Sequence, residues 1–311
     1  MINEQIRAFA PATVANVSCG FDILGFAIAS PGDEIEITLK KDSGINILSI
    51  SGDNGKLPLD PKLNSASVAI QSYINHINYN DGINLSLYKK MPISSGMGSS
   101  AASAVAAVFG INTLLESPLK KKELLPFILE GEKIACGTAH ADNAAASLLG
   151  GFILVRSYNP IDIISINYPD DLITIVIHPN LTIDTKISRE LLKDTINLSD
   201  AVSQWGNVAG LISGLHQKNY DLISRSLVDN IAEPKRSKLI TGFDDVKKEA
   251  LESGAIGCGI SGSGPSIFAL CNSIEKANLI AISMQNKFKE YNIKSKYYIS
   301  KINAEGAIIL N

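Results

Sequence analysis

Apolar and polar residues alternate along several short stretches of this chain. In Glu34-Ile35-Glu36-Ile37-Thr38-Leu39 every second residue is apolar, the period of a strand with one buried face. Segments 45–51 and 83–88 also read as strands, and 152–156 follows Gly150-Gly151 as another. Helical spacing fits 64–77, with Asn64 or Ser65 as its cap, then 101–115 and 121–135, the last with Pro126 inside it. The stretch 158–171 is rich in Pro, Asn and Asp around a short apolar piece. It divides the chain into two expected units, 1–160 and 161–311. The second unit predicts strands over 172–177, 256–260, 266–271 and 295–302. Its helices are expected around 188–192, 199–215, 220–229, 244–252 and 275–291. Strands and helices mixed in this order predict an α+β protein of two layers. Trp205, in one of these helices, is expected in the core.

One break in this pattern carries chemistry. The run Met91-Pro92-Ile93-Ser94-Ser95-Gly96-Met97-Gly98-Ser99-Ser100-Ala101 opens into a helix of small residues. Gly96 and Gly98 allow sharp turns and close backbone approach. The first N–H groups of the helix, with the aligned peptide dipoles, make a site for an anion, most often phosphate. The Walker A pattern needs a lysine after its last glycine, and Ser99 stands there instead. The dinucleotide fingerprint does match Gly96-Met97-Gly98-Ser99-Ser100-Ala101, with Glu116 at 20 residues beyond Gly96. That fingerprint also wants an apolar strand leading into its first glycine, and Pro92 and two serines precede Gly96. A turn that binds nothing is the bland alternative.

Two further segments narrow the choice. Residues 10–25 read Ala10-Pro11-Ala12-Thr13-Val14-Ala15-Asn16-Val17-Ser18-Cys19-Gly20-Phe21-Asp22-Ile23-Leu24-Gly25. Residues 257–266 read Gly257-Cys258-Gly259-Ile260-Ser261-Gly262-Ser263-Gly264-Pro265-Ser266. With the glycine loop between them, these segments resemble the three motifs of the GHMP small-molecule kinases, over residues 10 to about 266. The resemblance implies a two-domain GHMP kinase fold. Its N-terminal domain would hold a left-handed β-α-β unit, against the usual right-handed rule, and its C-terminal domain would be ferredoxin-like.

The resemblance also implies roles. ATP would lie along Lys89, Pro92, Ser94, Ser95, Gly96, Met97, Gly98, Ser99 and Ser100, with Asn64 near the base. Lys89 alternatively reads as a surface lysine at a strand end, and Asn64 as a helix cap. Mg²⁺ takes oxygen ligands, and by resemblance these are Ser100 and Glu132; a solvated helical acid is the ordinary reading of Glu132. Gly262, Ser263 and Gly264 would turn close to the loop. The segment Ala139-His140-Ala141-Asp142-Asn143 resembles the homoserine kinase branch, with Asn143 where several sister kinases carry an aspartate base. An amide can orient a hydroxyl and cannot accept its proton as a base. Asp142 is adjacent, about 100° away on a helix, so the base role does not pass to it. The catalytic set implied is Asn143, Ser100 and Glu132.

An acceptor with an ammonium, a carboxylate and a hydroxyl needs an anion, a cation and a hydroxyl partner. Asn16 and Asp22 suit the ammonium. Arginine suits a carboxylate, because its planar fork bonds both oxygens. The chain has five arginines, and Arg189 and Arg236 match the branch pattern in Thr185-x-x-x-Arg189 and Pro234-x-Arg236. His140 reads either as an acceptor contact or as a structural histidine. The reaction implied is ATP-dependent phosphorylation of L-homoserine for threonine biosynthesis. A mevalonate- or shikimate-like alcohol as acceptor, or a ligand-binding relative without activity, remain the alternatives.

Composition agrees with such a catalyst. The chain has 311 residues, 45% hydrophobic and 19% charged, with a net charge of −3, so no basic field for nucleic acid is expected. Lys120-Lys121-Lys122 reads as a solvated helix start. No apolar stretch approaches the ~20 residues that span a bilayer. The first residues lack the basic start and apolar run of a signal peptide. Cys19, Cys136, Cys258 and Cys271 show no C-x-x-C spacing and are expected as free thiols in the cytoplasm. The resemblance suggests a homodimer.

Overall fold

The computed structural model describes residues 5–137, 139–192 and 195–310, without the side chains of 135 and 136. β1 (Gln5–Ala15) and β2 (Leu24–Lys40) pair antiparallel, with a register shift between Pro11 and Thr13. The alternating 34–39 segment is one end of this 17-residue β2. β3 (Ile45–Ser51), α1 (Ser65–His76) and β4 (Gly82–Tyr88) make a crossover unit in which β3 and β4 pair in parallel. α2 (Ser99–Leu114), α3 (Leu125–Cys136) and α4 (Ala141–Leu149) follow, and then the hairpin of β5 (Phe152–Tyr158) and β6 (Ile161–Ile166). β4 and β5 both pair with β2.

The second sheet begins at β7 (Ile173–Pro179). Then come α5 (Thr185–Glu190), α6 (Leu198–Gln217), α7 (Tyr220–Ser226), α8 (Glu233–Arg236) and α9 (Phe243–Glu252). β8 (Gly257–Ile260), β9 (Ile267–Cys271), α10 (Ile274–Glu290) and β10 (Ser295–Lys301) complete this part. The sheet is antiparallel in the order β10-β7-β9-β8, the β-α-β-β-α-β arrangement of ferredoxin-like domains. β11 (Ile308–Leu310) returns to the first sheet beside β1. The expected boundary after residue 160 falls inside the β5–β6 hairpin, because the apolar piece 161–166 extends the first sheet.

β7 shows why segment 172–177, apolar at every position but Thr174, does not alternate. Ile173, Ile175 and Ile177 join the core under α9 and α10. Val176 faces the larger core that α6 and α7 share with the first sheet. A strand covered on both faces loses its alternation. α2 is likewise buried nearly all round, and its alanines let it lie close against the sheet. A Cβ on Gly110 would stand 2.8 Å from Ile37 Cδ1 and 3.1 Å from Ala8 Cβ.

Several expectations change. A 3₁₀ turn covers Lys121–Leu124, and α3 begins at Leu125, so Pro126 sits in the first turn. Its missing N–H has no partner to lose there. The helix expected over 220–229 stops at Ser226, where Asp229 gathers the backbone N–H groups of Ile231, Ala232 and Glu233. Lys121 is no solvated lysine: it donates to the carbonyls of Glu305 and Ala307. Trp205 is 63% exposed, although it stands one helical turn from the buried Ala201 on α6. Helical spacing shows that a face exists, and only packing decides which one is covered. Cys19, Cys258 and Cys271 are buried free thiols, and the side chain of Cys136 lies outside the described residues. No helix among the described residues is long and apolar enough to cross a membrane.

Candidate active site

A cavity of about 440 Å³ gathers residues from the end of β1, the glycine loop, the starts of α2 and α4, and α3, α5 and α8. The loop reaches it through left-handed turns: Ser94, Gly96 and Gly98 have φ of 54°, 77° and 69°. A Cβ on Gly96 would meet the carbonyl oxygen of Ser261 at 2.4 Å. One on Gly98 would meet Thr13 Oγ1 at 2.1 Å and Asn143 Oδ1 at 2.7 Å. Both glycines are therefore required twice over, by conformation and by space. Gly98 caps α2 without a side-chain bond, so the dipole and first N–H groups of a 16-residue helix face the cavity.

The loop is braced from beneath. Lys89 is buried and its ammonium donates to Asp33, to the Ser99 carbonyl at 2.8 Å and to Ser103 Oγ at 2.7 Å. Asp33 also accepts from the N–H of Lys90 and of Met91 and from Ser99 Oγ. Neither earlier reading of Lys89 survives unchanged. It lines the cavity, yet its three donors are spent on the protein, and it is no surface lysine. Asp33 carried no local signal, because its partners lie 56 to 70 residues away.

Ser95 Oγ, Ser100 Oγ and Glu132 Oε1 are buried on the cavity wall without a hydrogen-bond partner. Burial pushes the Glu132 carboxyl up to about 7, against the pull of Ser100 and the Lys89 charge. Orphaned buried polar atoms are costly, and a hydroxyl and a carboxylate side by side are hard oxygen donors that fit a magnesium ion shared with phosphate. No group of three or more His, Cys, Asp or Glu among the described residues is arranged to hold a metal alone. Asn64 is near the Leu57, Pro58 and Leu63 end of the cavity. It caps α1 through the N–H of Ala66 and donates to the Pro58 carbonyl, so it serves as the cap it was alternatively read to be.

The other end is charged. Arg189 holds Asp22 two-pronged, Nη2 to Oδ2 at 2.6 Å and Nη1 to Oδ1 at 3.3 Å, and its Nη1 lies 3.3 Å from His140 Nε2. Burial and the neighbouring arginines keep His140 below its ordinary pKa, against the pull of Asp22. Arg236 is only 5% exposed. It donates to the carbonyls of Gly262 and Ser188, and no ion pair among the described residues joins it to a carboxylate. Asn16 bridges the first and third motifs, donating to the Gly262 carbonyl and accepting from the N–H of Asp22. It does so from a left-handed run, with Asn16, Val17 and Ser18 at φ of 68°, 43° and 57°. Side chains pay for such conformations in strain of the kind stored at functional sites.

Asn143 stands between the two ends. Its Oδ1 accepts from Thr13 Oγ1 at 2.6 Å, and its N–H donates to Asp142 Oδ1 at 2.8 Å. Asp142 lines the same cavity, despite the angle between neighbours on a helix, because the first turn of α4 projects into a concave site. Burial, followed by the charge of Asp22, raises its carboxyl to about 7. Thr185, which meets Ser263 Oγ at 3.2 Å, is a further wall residue. Pro92, Met97 and Gly264 are not on the wall. Met97 points into the core instead, and Gly264 closes the turn that Ser261 Oγ ties to the Gly96 carbonyl.

The family models for the GHMP kinases N terminal domain and the GHMP kinases C terminal region match residues 64–151 and 211–290. A homoserine kinase of Chlorobium phaeobacteroides is 50% identical, over 99% of this chain and 100% of its own length. This chain belongs to the homoserine kinase branch of the GHMP kinases. The crystal structure of homoserine kinase from Cytophaga hutchinsonii superposes with a TM-score of 0.98 at 52% identity, over 100% of this chain and 98% of that one. The structure of L. major mevalonate kinase shares the fold, with a TM-score of 0.72 at 16% identity over 94% and 95% of the chains. Within this GHMP kinase, one cavity thus brings together residues from all three motifs and from six helices.

Proposed function

We propose that this protein phosphorylates the side-chain hydroxyl of L-homoserine with ATP and Mg²⁺, giving O-phospho-L-homoserine. One observation carries the reading: a single cavity has orphaned oxygen donors at a helix start and, at its other end, a buried arginine without a carboxylate. The first end suits a magnesium triphosphate, the second an amino-acid carboxylate.

In this reading the triphosphate lies on the N-terminus of α2 against Ser95 and the loop backbone. Ser100 and Glu132 would hold Mg²⁺, which supplies neutralising charge on the phosphates when bound. Arg236 and Arg189 take the carboxylate. The ammonium goes to Asp22 and Asp142, with Asn16 fixing the backbone of Asp22. The Asp22–Arg189 pair sits where the two charges of the acceptor would go, and a zwitterion replaces each partner with its own charges. Asn143 orients the acceptor hydroxyl. The transition state for phosphoryl transfer is loose, so positioning and electrostatics carry most of the work.

The test is coupled ADP release by purified protein with homoserine, mevalonate, galactose and shikimate. Release with L-homoserine and Mg·ATP is expected. A clear preference for another alcohol overturns the acceptor, and no release with any of them returns the chain to a ligand-binding role. The reading includes a cytoplasmic location and a homodimer, the latter read by sedimentation velocity on the active protein.

A further inference from the structure

Phe21 touches both arginines of the acceptor end. The Arg236 guanidinium carbon lies 4.9 Å from its ring centroid, and that of Arg189 lies 5.6 Å away. Phe21 is not on the cavity wall, so any influence on a ligand passes through the two cations. Those cations stand in an awkward relation. Arg236 is buried, and desolvation works against its protonated form; the nearby charge of Asp22 supports that form and the charge of Arg189 opposes it. Arg189 is ion-paired with Asp22, whereas the direct hydrogen bonds of Arg236 among the described residues go to two carbonyls. The face of an aromatic ring carries negative potential and attracts a guanidinium, more strongly where water is excluded. Phe21 therefore adds, at the guanidinium itself and without a charge, to the longer-range support of Asp22, Asp229 and Asp142. A carboxylate at that place would compete with a bound acid for the same donors.

The geometry points to Phe21 as a positioning residue: its ring holds Arg189 and Arg236 side by side so that their donors converge on one carboxylate. The inference rests on the proposed reading of that end as the amino-acid carboxylate site. It makes Phe21 a determinant of selectivity for hydroxy acids over plain hydroxyl compounds.

The test compares Phe21→Leu with Phe21→Tyr on two acceptors, L-homoserine and its decarboxylated analogue aminopropanol. The analogue keeps the ammonium and the hydroxyl and lacks only the carboxylate. Leucine keeps apolar volume and loses the ring face, so KM for homoserine should rise about three- to thirty-fold. The KM for ATP and the kcat should stay near wild type. The preference for homoserine over aminopropanol, as a ratio of kcat/KM values, should fall by the same factor, and tyrosine should restore it. Should Phe21→Leu fail to fold, Phe21→Met carries the same comparison. Equal losses on both acceptors, or an unchanged ratio in a folded variant, overturn the role of Phe21 alone. A wild-type enzyme with no preference for homoserine over aminopropanol overturns the carboxylate site itself, and this inference with it.

Discussion

Replacing Arg236 by methionine separates stability from recognition. Arg236 is almost fully buried, and burial presses its pKa down. Its charge meets the Gly262 carbonyl at 3.1 Å, the Ser188 carbonyl at 3.4 Å and the ring of Phe21. Methionine of similar length removes the charge and fills the space. The Gly262 carbonyl keeps Asn16 Nδ2 at 2.8 Å, so only the long contact to Ser188 is left open. Exchanging a buried charge for a well-packed apolar side chain is often neutral or stabilising. The ligand-free variant should therefore melt at or above the wild-type temperature. Binding should move the other way. A charge-assisted hydrogen bond contributes about 1.5–3 kcal/mol, and losing it weakens homoserine by roughly 10- to 150-fold. ADP release with homoserine varied at saturating Mg·ATP reads the loss as KM. Varying ATP at saturating homoserine should leave its KM near wild type, and homoserine should no longer raise the melting temperature. A variant that melts well below wild type while keeping its homoserine KM would show Arg236 to be a structural residue and refute the reasoning.

Three other perturbations probe the nucleotide end. Glu132→Gln should lose most turnover and need more Mg²⁺ for the remainder, checked by Mg²⁺ titration. The same variant tests a pH effect. Burial raises the Glu132 carboxyl from 4.5 to about 7, so the folded state holds its proton more tightly than the unfolded chain. The stability this gives is complete below pH 4.5 and lost as pH rises through about 7. Ligand-free melts across that window should thus decline less in the variant than in the wild type, and equal slopes would remove Glu132 as the cause. Gly98→Ala places a Cβ 2.1 Å from Thr13 Oγ1 at a φ of +69° and should break the Thr13–Asn143 bond. Left-handed backbone alone costs about 1–2 kcal/mol for a residue with a Cβ, so both a lower melting temperature and a sharp fall in kcat are expected, and wild-type kcat would contradict the packing. Asp33→Asn leaves the Lys89 charge buried without its partner, a loss of about 3–5 kcal/mol. Paired titrations should show the KM for ATP rising more than that for homoserine, because Asp33 ties the two ends of the glycine loop, and an equal rise would reduce Asp33 to a fold residue.

Much of the site was legible one segment at a time. Gly96 and Gly98 announced a turn that only glycine can make before a helix start. Arg189 and Arg236 stood out in a chain with few arginines. Other members had no local signal. Asp33 belongs to an ordinary alternating strand, and its role appears only when Lys89 and Ser99 arrive from elsewhere in the chain. Asp142 looked turned away from Asn143, until the concave wall brought both into one cavity. The pairing of Asp22 with Arg189 joins positions 167 residues apart.

The sequence by itself marked many of the strands and helices, though not β1, β6 or β11, and showed where the backbone must turn tightly and which side chains bring charge or oxygen donors. These properties depend on neighbours within a few residues: the period of apolar positions, the freedom of glycine, the free N–H groups of a helix start. Tertiary structure alone decided that β6 and β11 join the first sheet, that Trp205 faces outward, and that Lys89 is sealed under the glycine loop. It also decided that Glu132 and Ser100 share one wall with the two arginines. The physical reason is that apolar spacing marks a face for burial without naming what covers it. The charge a buried group keeps, and the partner it finds, follow from how distant segments pack together.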